Sequence, residues 1–331
     1  MASFFGLDLG SSQIKVAQAE SSGQGFKLQH LAVESMINET ETETISKVIK
    51  TAGIKLSSEV NLALPENEVY TRIVDVPKLS ETELNSAIQF EAEQYVPVSL
   101  DEVELFHQIL TTSEALDSKT MRVLLIAVPK EKLTKINRFL DGVGLIPHNL
   151  ETELFSLKRV LSEADRYQLI LLLSHKTTDM MVVYKGEPIL LYSHPGGGLA
   201  LTRSLITEMN LSEMQAEQYK QTYGLRRDLL EGKVAAVLAP MMTELVNQIN
   251  KAYASLNEQG YKKNPEQIVL AGGGALLPGL TGFLASQLNT EVVIADPFSR
   301  FVKDETFNRL VKTEANPQWS VAVGLAIKGL K

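Results

Sequence analysis

The chain contains no cysteine in its 331 residues, so disulfides, thiol catalysis and cysteine-ligated metal sites are all excluded. Basic residues are also fewer than acidic ones. Lys and Arg number 32 against 40 Asp and Glu, and the net charge of -8 argues against broad nucleic-acid binding. No apolar run reaches the roughly 18 residues of a membrane span, and no basic segment precedes a hydrophobic one near the N-terminus. We therefore expect a cytoplasmic protein that does not insert into the membrane.

Histidine is sparse as well. The five histidines are dispersed, and no two of them share the helical spacing of a metal-binding pair. What the chain does contain is typical of a globular protein with a large core: 44% of its residues are hydrophobic and 22% are charged. Its length predicts two domains or one large divided domain.

The order of the predicted elements indicates a duplicated α/β fold. Strand patterns at 4–20 and 26–34 precede a helical pattern at 40–52, and strand patterns within 168–193 precede a second group of helices. A strand hairpin followed by helices therefore occurs twice. We expect two α/β lobes with a cleft between them.

A locally organised segment, residues 76–148, interrupts the first of these lobes. Ser80 and Glu83 form the pattern of a capping box and predict a helix that continues to about Gln94. Strand patterns at 104–110 and 121–129 follow, and then another helix begins. We interpret this segment as an inserted module.

Three glycine-containing turns have the composition of phosphate-binding loops. They are Gly10-Ser11-Ser12, Gly196-Gly197-Gly198 and Gly272-Gly273-Gly274. Glycine lets backbone N–H groups approach an oxyanion closely, and a helix N-terminus adds partial positive charge. Asp8 precedes the first turn, and Mg²⁺ prefers few carboxylates and several waters. Each turn can equally be an ordinary tight turn, since none has the pattern of a P-loop or a dinucleotide-binding loop.

Taken in order, these turns resemble those of the actin-like ATPases, which have a duplicated, ribonuclease-H-like fold. Asp8 to Ser12 with Lys15 resembles the first phosphate loop, and 270–275 with Pro278-Gly279 resembles the adenosine motif. The helical spacing with which such proteins bracket adenosine is found at Glu217, Lys220 and Gln221. The resemblance implies binding of ATP and of Mg²⁺, with Asp8 holding the metal through water.

Within that class the sequence resembles the PilM family of type IV pilus assembly. The resemblance rests on Phe90–Pro97, Leu100–Val103, Ala216–Gly224 and Ser320–Ala326, and it extends over about residues 4–330. It implies two lobes around a nucleotide cleft, with an inserted subdomain of the FtsA and PilM type. The implied subdomains are 1A (1–75, 149–167 and 316–331), a 1C-like insert (76–148), 2A (168–211 and 265–315) and a helical 2B (212–264).

The resemblance also implies a partner. It predicts a scaffold on the inner-membrane platform of a type IV pilus, or of a related type II secretion-like system. This scaffold would bind the N-terminal cytoplasmic tail of a PilN-like membrane protein and lie at the inner face of the inner membrane. The expected groove residues are Tyr95, Val96, Pro97, Val103 and Leu105, because an extended tail can add to a sheet edge. Contacts with other platform proteins are implied too, and self-association stays open.

One position departs from the actin-like pattern. The second phosphate loop of that class has the form Asp-x-Gly-x-x-x-Thr, and aligning its threonine with Thr178 places Leu172 at the acid. An aliphatic side chain orients neither Mg²⁺ nor water, and losing such a group commonly costs about 10²–10⁴ in rate. His175 and Lys176 either bring positive charge to the phosphates or are solvated turn residues. We therefore expect ATP binding with weak or no hydrolysis.

Two other functions are weighed against the scaffold. An active ATPase or small-molecule kinase of the same superfamily needs the acid that Leu172 replaces. An FtsA-like, filament-forming division protein is expected to carry a C-terminal amphipathic membrane-targeting helix, and the sequence ends at Lys331, just after the last predicted helix. Glu151 and Glu153 either cap the helix that follows them or border the cleft, with capping the favoured interpretation.

Overall fold

A computed structural model describes residues 4–36, 40–55, 59–110, 119–312 and 316–330. These residues form a strand-rich first half and a helix-rich second half. The strands are β1 Phe4–Leu9, β2 Gln13–Ser22, β3 Gly25–Ser35, β4 Glu59–Leu64, β5 Tyr70–Pro77, β6 Val103–Leu110, β7 Thr120–Pro129, β8 Ile146–Thr152, β9 Gln168–Leu173, β10 Thr177–Tyr184, β11 Glu187–Pro195, β12 Gln267–Ala271 and β13 Glu291–Ile294. The helices are α1 Glu41–Ala52, α2 Glu81–Tyr95, α3 Lys130–Val143, α4 Glu153–Leu161, α5 Gly198–Met209, α6 Glu213–Tyr223, α7 Lys233–Glu258, α8 Leu280–Leu288, α9 Glu305–Leu310 and α10 Ser320–Ala326.

Two five-stranded sheets share one topology. Their strand orders are β3-β2-β1-β4-β8 and β11-β10-β9-β12-β13. In each sheet the first three strands along the chain pair antiparallel, and the next two join in parallel. The chain therefore contains the same α/β unit twice, as the order of predicted elements indicated.

The core that joins the two halves lies between their sheets. Two helices, α4 and α10, pack there with residues of both sheets, and every residue of α10 is buried. Close approach depends on glycine: a Cβ on Gly324 would lie 2.2 Å from the carbonyl oxygen of Ser156 in α4. A Cβ on Gly6 of β1 would lie 2.3 Å from the carbonyl oxygen of Ala322. A larger residue at Gly324 would push α10 away from α4, and one at Gly6 would push it away from β1.

Each sheet also has an outer core. In the first half, α1 and α3 cover the sheet with residues such as Ile45, Ile49 and Leu140. In the second half, α5, α6, α7 and α8 cover it. The central strands are mainly apolar, as expected for strands that are covered on both faces, and β9 is buried at every position.

The inserted module is a three-stranded antiparallel sheet, in the order β5-β7-β6, covered by α2. The predicted capping box is present, since Ser80 and Glu83 satisfy each other's backbone N–H groups at the start of α2. The sheet begins at Tyr70, so the predicted subdomain boundary at residue 76 falls inside β5. Helix α3, predicted as part of the module, contributes to the outer core of the first half.

Helix α7 begins later than the sequence pattern predicts. The pattern extends from about residue 227, but the helix begins at Lys233. Leu230 and Glu231 adopt positive φ values of 48° and 54°, and Gly232 follows at 71°. Three consecutive left-handed residues interrupt a right-handed helix, so hydrophobic periodicity alone places its start too early.

Two strands, β8 and β13, were not predicted from the sequence. Trp319 packs against the central core, as expected.

Candidate functional site

A cleft of about 810 Å³ lies between the two halves. Turns from both sheets line it, as do α5, α6 and the start of α4. The structure brings twelve of the fourteen predicted nucleotide-site residues to this cleft: Asp8, Gly10, Ser11, Ser12, Lys15, Gly198, Glu217, Lys220, Gln221, Gly272, Gly273 and Gly274. Its volume falls within the roughly 300–1,000 Å³ of small-molecule sites.

The β1–β2 hairpin brings an acid and a base to the cleft. Asp8 and Lys15 are directly opposite in the antiparallel register, and Lys15 Nζ lies 3.3 Å from Asp8 Oδ2. Asp8 lines the cleft and is only 4% exposed. The turn that follows leaves Ser11 and Ser12 exposed. This corner therefore offers a carboxylate, an ammonium group and two hydroxyls.

The β9–β10 hairpin places a different pair at the equivalent positions. Leu172 and Asp179 are directly opposite in its register. Leu172 lines the cleft, whereas Asp179 is completely buried and accepts hydrogen bonds from Thr177 and Ser193. Burial raises the pKa of Asp179, and the two hydrogen bonds only partly oppose this. The second half thus has an acid close to the cleft, but on the neighbouring strand and turned away from it.

Gly196 and Gly197 do not line the cleft, contrary to the prediction for the second glycine turn. A Cβ on Gly197 would lie 2.4 Å from the carbonyl oxygen of Ser174, so this glycine permits close packing of one turn on another. The N–H group of Gly196 donates to Lys176, and that of Gly198 donates to Ser174. Protein carbonyls occupy these two donors, and only Gly198 reaches the cleft.

Helices α5 and α6 carry a polar network on the far wall of the cleft. Lys220 Nζ donates to the Gly198 carbonyl oxygen at 3.1 Å, to Thr202 Oγ1 at 2.8 Å and to Glu217 Oε2 at 2.6 Å. Gln221 donates to the other Glu217 oxygen at 2.8 Å. Burial opposes ionisation of Glu217, but the hydrogen bonds from Lys220, Gln221 and Thr202 outweigh it and lower the pKa of this carboxyl. The predicted spacing on α6 therefore builds a fixed, charged wall.

The third glycine turn follows β12 directly. Gly272 has a φ of 80°, and a Cβ there would lie 2.6 Å from the Leu173 carbonyl oxygen. A Cβ on Gly274 would lie 2.7 Å from the Leu173 side chain, whereas one on Gly273 would meet nothing within 4 Å. Gly272 and Gly274 are thus required for packing, and Gly273 presents open backbone to the cleft.

Glu153 borders the cleft, the less favoured of its two predicted positions, and it is also the first residue of α4. It is 7% exposed, and no hydrogen bond to its carboxylate is found among the described residues. Burial raises its pKa well above the usual value, and the charges of Asp8, Asp179 and Glu66 raise it further. Its neighbour Glu151 pairs instead with Arg159 and Lys328. Sequence offered no signal for this difference, because both acids precede the same helix.

His175 and Lys176 both line the cleft at the tip of the β9–β10 turn. Burial and the nearby charge of Lys220 lower the pKa of His175, which favours the neutral imidazole. Lys176 is exposed. Of the two residues, only the lysine brings positive charge to this turn.

A second, smaller cavity of about 270 Å³ lies beside the inserted module. Two of the five predicted groove residues, Tyr95 and Val96, line it, and the other three do not. Val103 and Leu105 lie on β6 and pack in the core of the module, and Pro97 follows the end of α2. The guanidinium of Arg72 lies 3.5 Å from the centre of the Tyr95 ring at this cavity.

Two features are absent from the described residues. No cluster of three or more His, Asp or Glu side chains there has the geometry of a direct metal cage. No helix in the described part of the chain is long and apolar enough to cross a membrane.

Comparison with known proteins identifies the family. A family model described as type IV pilus assembly protein PilM matches residues 6–330. The chain belongs to the PilM family. A solved PilM–PilN type IV pilus biogenesis complex is 25% identical, with a TM-score of 0.83 and coverage of 99% of both chains. The resemblance seen in the sequence is therefore confirmed.

More distant structures confirm the actin-like fold of this PilM-family chain. The ethanolamine utilization protein EutJ from Carboxydothermus hydrogenoformans is 14% identical, with a TM-score of 0.57 over 98% of this chain and 89% of its own. MreB5 of Spiroplasma citri bound to AMPPNP is 13% identical, with a TM-score of 0.53 over 98% of this chain and 95% of its own. At these identities the likeness concerns the fold alone.

Proposed function

We propose that this protein is an ATP-binding scaffold of a type IV pilus assembly platform, which binds the cytoplasmic tail of a PilN-like membrane protein. The observation that carries the proposal is the cleft, where Asp8, Lys15 and two serine hydroxyls face the wall of α5 and α6. Family membership supports the pilus role. The solved PilM–PilN complex, similar over nearly the whole chain, supports a PilN-like partner. This partner would hold the protein at the inner face of the inner membrane.

The donor groups of the cleft fit MgATP. Asp8 is suited to hold the water shell of Mg²⁺, Lys15 and the Ser11-Ser12 hydroxyls to contact phosphate, and the open backbone at Gly273 to lie against the nucleoside. Bound Mg²⁺ would place positive charge beside the carboxylates of Asp8 and Glu153. Burial and the neighbouring carboxylates raise the pKa of Glu153, and a cation held beside Asp8 would oppose that rise.

Hydrolysis is proposed to be slow. Leu172 contributes only an aliphatic surface to the cleft, and Asp179 on the next strand is buried and hydrogen-bonded to protein groups. Neither side chain is in a position to orient an attacking water. This supports a role for ATP as a bound ligand that stabilises one arrangement of the two halves.

Calorimetric titration of MgATP into the protein, with phosphate release followed on the same sample, tests the proposal. We expect binding heat and little phosphate. No heat at millimolar MgATP would refute nucleotide binding, and phosphate release at an ordinary ATPase rate of about 1 s⁻¹ or more would refute slow hydrolysis.

The partner tail is proposed to bind beside the inserted module, where Tyr95 and Val96 line the second cavity. A synthetic peptide of the N-terminal tail from the PilN-like protein of the same organism should bind in a calorimetric titration. Tyr95→Ala should weaken binding, because it removes the ring against which Arg72 stacks. Phe90→Ala is a matched control, since Phe90 is a 62% exposed aromatic of the same helix outside that cavity.

An active ATPase is the second candidate, and the position of Glu153 favours it. Its carboxylate faces the cleft without a protein partner among the described residues, as a general base would. Under this alternative, phosphate release would be rapid in the wild type and lost in Glu153→Gln. Under the scaffold proposal it is slow in both.

A further inference from the structure

Most edge strands of the three sheets carry features that block pairing with another chain. Proline, lysine, bulges, short length and covering elements all serve this purpose in natural sheets. Strands β8 and β11 contain Pro147 and Pro188, and each pairs with its neighbour through a register shift. Strand β3 also has a register shift and is bridged to Phe301. Strand β13 has only four residues, and β5 contacts β11.

The remaining edge strand, β6 of the inserted module, has none of these features. It pairs with β7 along all eight of its residues without a register shift, and its sequence contains no proline, lysine or arginine. On its other side it has no partner strand among the described residues. Every residue from Phe106 to Ile109 is exposed, and these two apolar side chains are 46% and 56% exposed. The edge of β6 is therefore open to another strand.

The sequence of β6 is complementary to itself in an antiparallel pair centred on Phe106. Side chains alternate between the two faces of a strand, and directly opposite residues share a face. Phe106 would face Phe106 of a second copy, which makes an aromatic pair. On the same face, Glu104 would lie opposite Gln108 of the second copy, where the amide can donate to the carboxylate. On the face that α2 covers, Val103 would lie opposite Ile109 of the second copy.

The same register also avoids repulsion between like charges. Glu104 is the only acid of β6. In the pair centred on Phe106, the two copies of Glu104 lie near opposite ends of the strands, so they do not face each other. Every residue of the exposed run 106–109 gains a partner side chain. These pairings favour a second copy of this chain as the occupant of the edge.

We propose that two copies of this chain associate through β6, as an antiparallel strand pair about a two-fold axis at Phe106. The pair would join two modules into one sheet with three strands from each copy and with both α2 helices on the same face. Such an interface is isologous and closes as a dimer. One strand pair buries little area, so the dimer is weak and depends on concentration. This inference goes beyond the proposed function and does not depend on it.

Sedimentation equilibrium of the full chain tests the dimer. We expect the average mass to rise with concentration from 36.5 kDa toward twice that value. Phe106→Lys should raise the dissociation constant about tenfold or more, because it removes the aromatic pair and places two like charges face to face. Phe90→Lys is the matched control, since Phe90 is an exposed aromatic of α2 in the same module, and it should associate like the wild type.

Thermal unfolding at a concentration where the wild type is monomeric shows whether Phe106→Lys is folded. A wild type that keeps the mass of one chain up to about 1 mM, the weak end of the affinity scale, would overturn the proposal. The open edge would then be left to a strand of another protein. Equal loss of association in the Phe106 and Phe90 variants would overturn the placement on β6.

Opposite charges at Gln108 test the register. Gln108→Lys should strengthen the dimer, because it places an ammonium group opposite Glu104 of the second copy. Gln108→Glu should weaken it, because two carboxylates would then face each other. With two such pairs in each dimer, we expect a change of about threefold or more in each direction. The same two substitutions at Gln94, which is exposed on α2, are the controls for net charge. Changes of equal size at Gln94 would overturn the register.

A single introduced thiol tests the position of the two-fold axis. The chain contains no cysteine, so Phe106→Cys carries the only thiol. Because this residue would face its own copy, mild oxidation should produce a disulfide-linked dimer. Phe90→Cys is the control and should stay largely monomeric under the same conditions. No more cross-linking in Phe106→Cys than in Phe90→Cys would overturn the axis at Phe106.

Discussion

The two halves of the molecule fold alike, but their first hairpins carry different side chains at equivalent positions. Asp8 is the last residue but one of β1, and Leu172 holds the same place in β9. Lys15 is the third residue of β2, and Asp179 is the third residue of β10. The first hairpin thus presents a charged pair to the cleft, whereas the second presents a leucine and buries its acid in the wall.

Under the proposed function, this difference separates nucleotide binding from hydrolysis. The first hairpin keeps the groups that a magnesium-bound phosphate needs, and the second lacks a carboxylate in the cleft. Positive charge on the second side comes from the exposed Lys176 and from Lys220 of α6, which is fixed by three hydrogen bonds. A duplicated fold can therefore keep a ligand site in one half and convert the matching site of the other half to a structural contact.

The largest effect is expected from giving the second hairpin the acid of the first. Leu172→Asp should raise the rate of phosphate release by a factor of about 10²–10⁴, the range that one well-placed acid commonly contributes. Leu172→Asn is the control, since it introduces polarity without an acid. MgATP binding by both variants would show that they are folded, and an unchanged rate in Leu172→Asp would break the comparison.

A second test concerns Glu66, whose pKa is raised from 4.5 to about 7 by burial and by Asp179. An acid with a raised folded-state pKa stabilises the fold less as pH rises through that range. Relative to Glu66→Gln, the wild type should lose about 3 kcal/mol of unfolding free energy between pH 4.5 and 8. Denaturant unfolding across this range measures the loss, and Asp179→Asn should reduce it.

Removing the acid of the first hairpin should have the next largest effect. Asp8→Asn should weaken MgATP binding by about 10- to 100-fold, the usual cost of losing a carboxylate that orders a metal's surroundings. The same titration with EDTA in place of Mg²⁺ is the control, and there the variant and the wild type should differ little. Equal loss with and without Mg²⁺ would mean that Asp8 acts on the fold or on Lys15 instead.

The smallest effect is expected from removing the positive charge of Lys220 in the second half. Lys220→Met should lower the free energy of unfolding by about 2 kcal/mol, because it removes three hydrogen bonds from a partly buried network. Lys251→Met on the exposed face of α7 is the matched control and should stay within about 0.5 kcal/mol of the wild type. Equal stability of the two variants would mean that the network adds nothing to the fold.

Much of the fold was predictable because its signals are local. Capping boxes, alternating strands and apolar runs each act within a few residues, and the same order of elements occurs twice along the chain. Most of the predicted nucleotide-site residues do line one cleft, although their binding of ATP stays a prediction. The start of α7 was misplaced because Leu230 and Glu231 adopt a left-handed conformation that their side chains do not signal.

The sequence by itself determined the duplicated architecture, the family, and the position of the charged first hairpin, since these depend on order and spacing along the chain. Only the tertiary structure decided which acids meet. Leu154 and Glu66 are 88 residues apart in sequence and hydrogen-bonded, and Asp179 lies near Glu66 only because the two sheets pack together. Gly197 likewise serves close packing, because the turn of another hairpin lies directly against it. Contacts of this kind follow from burial and close packing between distant segments, which local patterns do not specify.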